Sequence, residues 1–177
     1  MPIRNLLVSS VYRLATAVML VALAAILGAL AFEHIGGYAP CPLCLQQRYA
    51  YYAAIPMLLV GLLLINHTRP APAAILFAAV AVLFLVNAVF AGYHAGAEWK
   101  FWPGPDTCAA SPDGLAGGGG GLLKDLQTTH VVRCDEAALR ILGLSLAGWN
   151  VLISLALAAG SWAAALGMLR RRGPPPS

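Results

Sequence analysis

The sequence predicts an all-α membrane protein, a four-transmembrane-helix bundle whose two outer loops carry its cysteines, and three observations lead there. First, 60% of the 177 residues are hydrophobic and only 10% are charged, with a mean hydropathy of +0.76. Soluble domains carry about a quarter charged residues, so this chain lacks the polar surface to enclose a core in water. Second, four long stretches contain no charge. Third, the eleven basic and seven acidic residues separate by sign among the segments between those stretches. The same composition excludes disorder and a disulfide-dense miniprotein. The net charge of +4 comes from scattered residues, without the long basic run of a nucleic-acid binder.

A spanning helix needs about 20 apolar residues. The uncharged stretches are Leu14 to Phe32, Tyr49 to Ile65, Ala71 to Tyr93 and Ile141 to Leu169. They define one integral membrane domain over 1–177, with spans at about 14–32, 46–65, 71–93 and 143–167 and outer loops at about 33–45 and 94–140. The first stretch follows Arg4 and Arg13 as a signal peptide would, but its 19 residues exceed the apolar core of about 7–15 that a signal carries, so it is expected to be retained. The second is short and follows Arg48 directly, so its first helical turn is expected upstream. In the fourth, Trp149 and Trp162 stand about 20 Å apart along a helix and suit two interfacial anchors. With a cytoplasmic N-terminus, Arg4, Arg13, Arg69, Arg170, Arg171 and Arg172 lie inside without an acid. All seven acids then lie outside beside the five other basic residues. The positive-inside rule is satisfied with both termini cytoplasmic.

That orientation puts Cys41 and Cys44 in the first outer loop and Cys108 and Cys134 in the second, on the side where disulfides persist. Two structural disulfides would be the plain reading. A four-cysteine zinc site usually has two short-spaced pairs, and only one pair here is short, so no metal is expected. The short pair reads Pro40-Cys41-Pro42-Leu43-Cys44-Leu45-Gln46-Gln47-Arg48 and runs into the second span. Pro42 fits the first turn of a helix. Cys41 therefore lies at or just before the helix start, where free backbone N–H groups and the helix dipole favour a thiolate. Arg48, four residues beyond Cys44, shares its helical face and can stabilise a thiolate or hydrogen-bond a carbonyl that gains charge on reduction.

This composite, C-P-L-C-x-x-x-R at the mouth of the second of four spans with two cysteines in the next outer loop, closely resembles the bacterial disulfide bond formation protein B (DsbB) family of quinone-dependent thiol oxidases. The resemblance covers nearly the whole chain. It implies a bacterial inner-membrane enzyme that reoxidises a periplasmic thioredoxin-like dithiol oxidase, the DsbA-like partner, and passes the electrons to a membrane quinone, ubiquinone or menaquinone. It also implies the roles. Cys108 and Cys134 resemble the pair presented to the partner, and Cys41 and Cys44 the quinone-proximal pair. The partner attacks Cys108, Cys134 then exchanges with Cys41, and Cys44 faces the quinone, held by Arg48. His94, just past the third span, is the second candidate to contact the quinone.

The physics agrees with this division, since quinones dissolve in the bilayer and the soluble partner must meet the longer loop. The prolines of Trp102-Pro103-Gly104-Pro105 favour an extended segment before Cys108 that could lie in a partner's groove. Asn87 reads as a helix–helix hydrogen bond, and Glu33 and His34 as interfacial polar groups without chemistry. The glycine run Gly117 to Gly121 departs from the family pattern and is expected to act as a slack hinge, with Leu122 to Leu126 as a short surface helix. Three rival readings predict other things. A vitamin K epoxide reductase-like enzyme places its C-x-x-C after the loop cysteines. A non-catalytic tetraspan scaffold would hold disulfides inert to mild dithiols. A metal transporter needs acids or histidines within the spans.

Overall fold

Each predicted span is a helix, and each helix starts where its sequence permits. The computed structural model describes residues 2–67, 69–104 and 134–170, with side chains from Ser9 onward. Helix α1 spans Pro2–His34, α2 Pro42–Asn66 and α3 Pro70–Glu98; strands β1 (Arg140–Ile141) and β2 (Leu144–Ser145) precede α4 (Leu146–Arg170). Among the described residues these four helices are long and apolar enough to cross a membrane. Pro42 and Pro70 occupy first turns, where the missing N–H leaves no helical bond unmade.

The helices close a ring in chain order, α4 returning onto α1, with the α3–α4 seam the most extensive. Their polarity is that of a membrane bundle. Small side chains such as Ala73, Ala88, Ala91, Ala158 and Ala164 are buried at the seams, while Ile75, Val86, Val89 and Leu27 point outward. In lipid no hydrophobic force draws apolar faces together, so close backbone approach and packing hold the seams. At Gly61 an added methyl would stand 2.6 Å from Phe77, which is fully buried, so glycine is what lets α2 and α3 meet there. Asn87 on α3 donates to Ser154 Oγ on α4 at 3.0 Å, the interhelical hydrogen bond its sequence position predicts.

Two of the differences from the expected boundaries shape the site. α3 continues beyond Tyr93 to Glu98, so His94 sits on its final turns rather than past its end. The extension is supported by Trp102, which folds back to stack on Tyr93 at 5.8 Å and donate to the Tyr93 carbonyl. Its indole lies over Gly96, where a methyl would stand only 2.1 Å away. The apolar run before α4 likewise begins as a hairpin. Leu142 (φ 53°) and Gly143 (φ 84°) make a tight turn pairing Arg140 with Ser145 and Ile141 with Leu144. Trp149, one of the two expected interfacial anchors, donates its Nε1–H to the Ile141 carbonyl and braces this hairpin. Cys108, the Gly117 to Gly121 run and the Leu122 to Leu126 segment lie outside the described residues.

Candidate redox site

Cys41 is the N-cap of α2. Its backbone is extended (φ −72°, ψ 163°) and its sulfur accepts the Cys44 N–H at 3.3 Å, which satisfies one of the orphan donors of the first turn. Cys41 and Cys44 are both free thiols, with their sulfurs 3.0 Å apart. His94 on α3 brings Nε2 to 3.5 Å from Cys41 Sγ.

The orientation of that imidazole follows from residues the sequence reading passed over. Asn150 on α4 donates to Gln47 Oε1, so the Gln47 amide nitrogen is the atom that faces His94 Nδ1, at 2.9 Å. Nδ1 therefore accepts, the ring proton resides on Nε2, and that proton points at the Cys41 sulfur. Asn150 in turn accepts from the Tyr51 and Ser154 hydroxyls, and Ser154 accepts from Asn87. A directed run of donors thus passes from mid-bundle to one sulfur. The Cys44 thiol, the His94 ring and the Cys44 N–H together hold Cys41 far below the usual thiol range, down to about 4, against the cost of its burial. At neutral pH Cys41 is a thiolate.

The sulfurs and the imidazole nitrogen all lie within 4.8 Å of one another, a Cys2His grouping that spacing in the sequence did not suggest. In the hydrogen-bond chain its nitrogen meets the Cys41 sulfur as a proton donor.

Cys134 of the second loop reaches the same place. Cys134 is disulfide-bonded, 1% exposed, and packs in one small cluster with Cys41 and Leu43. It is held there by the ion pair of Lys100 with its neighbour Asp135, at 2.7 Å. Cys44 packs against the same cluster, and both Cys41 and Cys44 line a cavity of about 360 Å³ walled mainly by apolar side chains of α1 and α4 such as Ile26, Phe32 and Ile153. Arg48, His94 and Glu98 also line it. Arg48 is ion-paired with Glu33 of α1 and donates to the Ala29 carbonyl at 3.5 Å. Glu33 is therefore the counter-ion of Arg48, a role its place at the end of the first span did not suggest.

Comparison with known proteins agrees with this reading of the chain. It is 24% identical over 132 residues to an uncharacterized protein of Rickettsia prowazekii (strain Madrid E), RP370, an alignment covering 71% of this chain and 70% of the relative. No solved structure gives a significant match. The family model of the disulfide bond formation protein DsbB matches residues 12–164, well over half of the sequence. With its C-x-x-C at the head of the second helix and a buried disulfide cysteine packed against it, the chain belongs to the DsbB family of disulfide bond formation proteins.

Proposed function

We propose that this protein is a dithiol:quinone oxidoreductase of the bacterial inner membrane. It has both termini cytoplasmic and all four cysteines periplasmic, and it reoxidises a DsbA-like thioredoxin-fold oxidase. The observation that carries the proposal is the placement of Cys41 between two different environments. It packs in one cluster with Cys134 of the second loop, and together with its partner Cys44 it lines an apolar cavity.

The cavity suits a quinone headgroup in size and in chemistry. Its volume lies within the usual range for small-ligand sites, its walls are apolar, and Arg48 offers donors to a carbonyl oxygen, with His94 also on the cavity wall. A bound quinone supplies an acceptor for two electrons and two protons. The chain's own residues do the rest. The partner's thiolate attacks Cys108 and frees Cys134. Cys134 attacks Cys41, already its packing neighbour, forming a Cys41–Cys134 bond and leaving Cys44 as a thiolate at the cavity wall; the partner's second thiol then releases Cys108, which re-forms its bond to Cys134 and frees Cys41. The arrangement described here, with Cys134 disulfide-bonded and Cys41 and Cys44 free, corresponds to the stage at which electrons rest on the C-x-x-C pair. His94 then holds Cys41 ionised as the nucleophile that closes the Cys41–Cys44 disulfide.

The test is anaerobic absorbance of purified protein mixed with a soluble quinone and a stoichiometric reduced DsbA-like protein. Quinone loss should match dithiol oxidation and vanish in Cys44→Ser. Cys108→Ser should lose only turnover with the protein partner. Normal turnover of Cys108→Ser with that partner would show that the roles of the two pairs are misassigned.

A further inference from the structure

Glu98 is a buried carboxyl for which the relay has so far found no use. It lies one turn beyond His94 on the same face of α3, is 7% exposed, and lines the cavity onto which Cys44 opens. Its Oε1 stands 3.8 Å from His94 Nε2, the nitrogen that also faces Cys41 Sγ at 3.5 Å. Its Oε2 is buried without a hydrogen-bond partner among the described residues. An acid kept out of water with one oxygen unmatched is costly, and such groups call for a functional explanation.

We infer that Glu98 stores the proton that Cys41 gives up, receiving it through His94 and releasing it when the dithiol is oxidised. This rests on the proposed dithiol:quinone activity. The charged or titratable groups that face Glu98 are His94 on its own helix, Cys41 and Cys44 at the head of α2, and Arg140 on β1. Ser145 on β2 is a neighbouring hydroxyl. A neutral imidazole lies between the sulfur and the carboxyl, and two negative charges on either side of it would repel in a medium of low dielectric constant. Of the sulfur and the carboxyl, therefore, one holds the proton.

The balance closes. In the reduced protein Cys41 is a thiolate, Cys44 a thiol and Glu98 a carboxylic acid. Oxidation forms the Cys41–Cys44 bond and yields two electrons, with one proton from Cys44 and one from Glu98, and a quinone takes all four. When Cys134 returns electrons to the pair, Cys44 and Glu98 each regain a proton. His94 Nε2 lies within reach of both groups: in the Nδ1–H tautomer, with the Gln47 amide oxygen turned toward the ring, Nε2 takes the Cys41 proton and the imidazolium so formed passes that proton from Nε2 to Glu98. Glu98 acts through His94 and is a positioning and proton-holding residue rather than one that touches sulfur.

The test uses infrared difference spectra of the full-length, quinone-free protein between its dithiol and chemically oxidised disulfide forms. A carboxylic-acid carbonyl band should be present in the dithiol form, disappear on oxidation, and be missing from both forms of Glu98→Gln. Quinone reduction by Glu98→Gln should fall about 10- to 100-fold, the usual scale for losing a placed proton carrier, with partial recovery in Glu98→Asp. His94→Gln keeps the carboxyl but should lose the redox dependence of the band. A wild-type spectrum without that band change would overturn the assignment, and so would a Glu98→Gln enzyme that reduces quinone at the wild-type rate. A band that behaves as expected in a protein unable to reduce quinone would instead refute the quinone activity and leave proton storage standing.

Discussion

Two polar clusters flank the C-x-x-C pair, and they are built in opposite ways. On the α3 side, His94, Gln47 and Asn150 form a buried, mostly neutral chain drawn from three helices, and every donor in it points toward the Cys41 sulfur. On the α1 side, Arg48 and Glu33 make one ion pair on the cavity wall, closed on itself, with no hydrogen bond to either sulfur among those described. Both clusters border the cavity, but only the first is hydrogen-bonded to the thiolate. Charge alone would have ranked them the other way, because a guanidinium is the stronger cation. The hydrogen-bond direction decides which group tunes the sulfur and which is left to tune the ligand.

His94→Ala should disturb this contrast most. Wild-type Cys41 should react with iodoacetamide with a half-rise near pH 4, reactivity being present above that point and lost as pH falls through it. A hydrogen bond to a charged group contributes about 1.5–3 kcal/mol, so removing the imidazole should move the half-rise up by about one to two units. Asn150→Leu should act in the same direction with less force, under about one unit, by releasing the Gln47 amide to turn its oxygen toward His94. If Asn150→Leu matched His94→Ala, the amides would be bearing the sulfur's charge directly and the stepwise chain would be wrong. Arg48→Ala should leave the alkylation profile within about 0.3 units of wild type, as expected for a charge already paired, while raising the KM for quinone. A shift of the thiol profile as large as that of His94→Ala would erase the distinction between the two clusters.

Much of this was legible in the sequence where the cause was local. Uncharged length announced the four helices, Pro42 announced that Cys41 would cap α2, and Asn87 in an apolar span announced its partner across the α3–α4 seam. The clusters were not legible, because Gln47 and Asn150 lie 103 residues apart and only the closing of the four-helix ring brings the two amides together and gives each its direction. The His94 and Glu98 spacing of four was a usable signal once α3 was known to extend that far. What concealed the extension was the polarity of its last turns, which reads as loop until Trp102 is seen to fold over Gly96. The hairpin before α4 was hidden for the opposite reason. Ile141, Leu142 and Leu144 extend the apolar run, and the left-handed backbone at Leu142 and Gly143 is what interrupts it.

The donor chain also bears on how such a protein is made safely. Cys41 and Cys44 are synthesised ahead of α3 and α4, yet the ring that ionises Cys41 comes from α3 and the amide that orients that ring comes from α4. Until those helices insert and pack, the motif lacks these supports and the sulfur is closer to an ordinary cysteine, slow to exchange with the many thiols it passes. The contacts with Cys44 inside the motif already favour the thiolate, and the assembled bundle adds the share that His94 supplies. The nascent chain carries its nucleophile without that share until the last helix is in place.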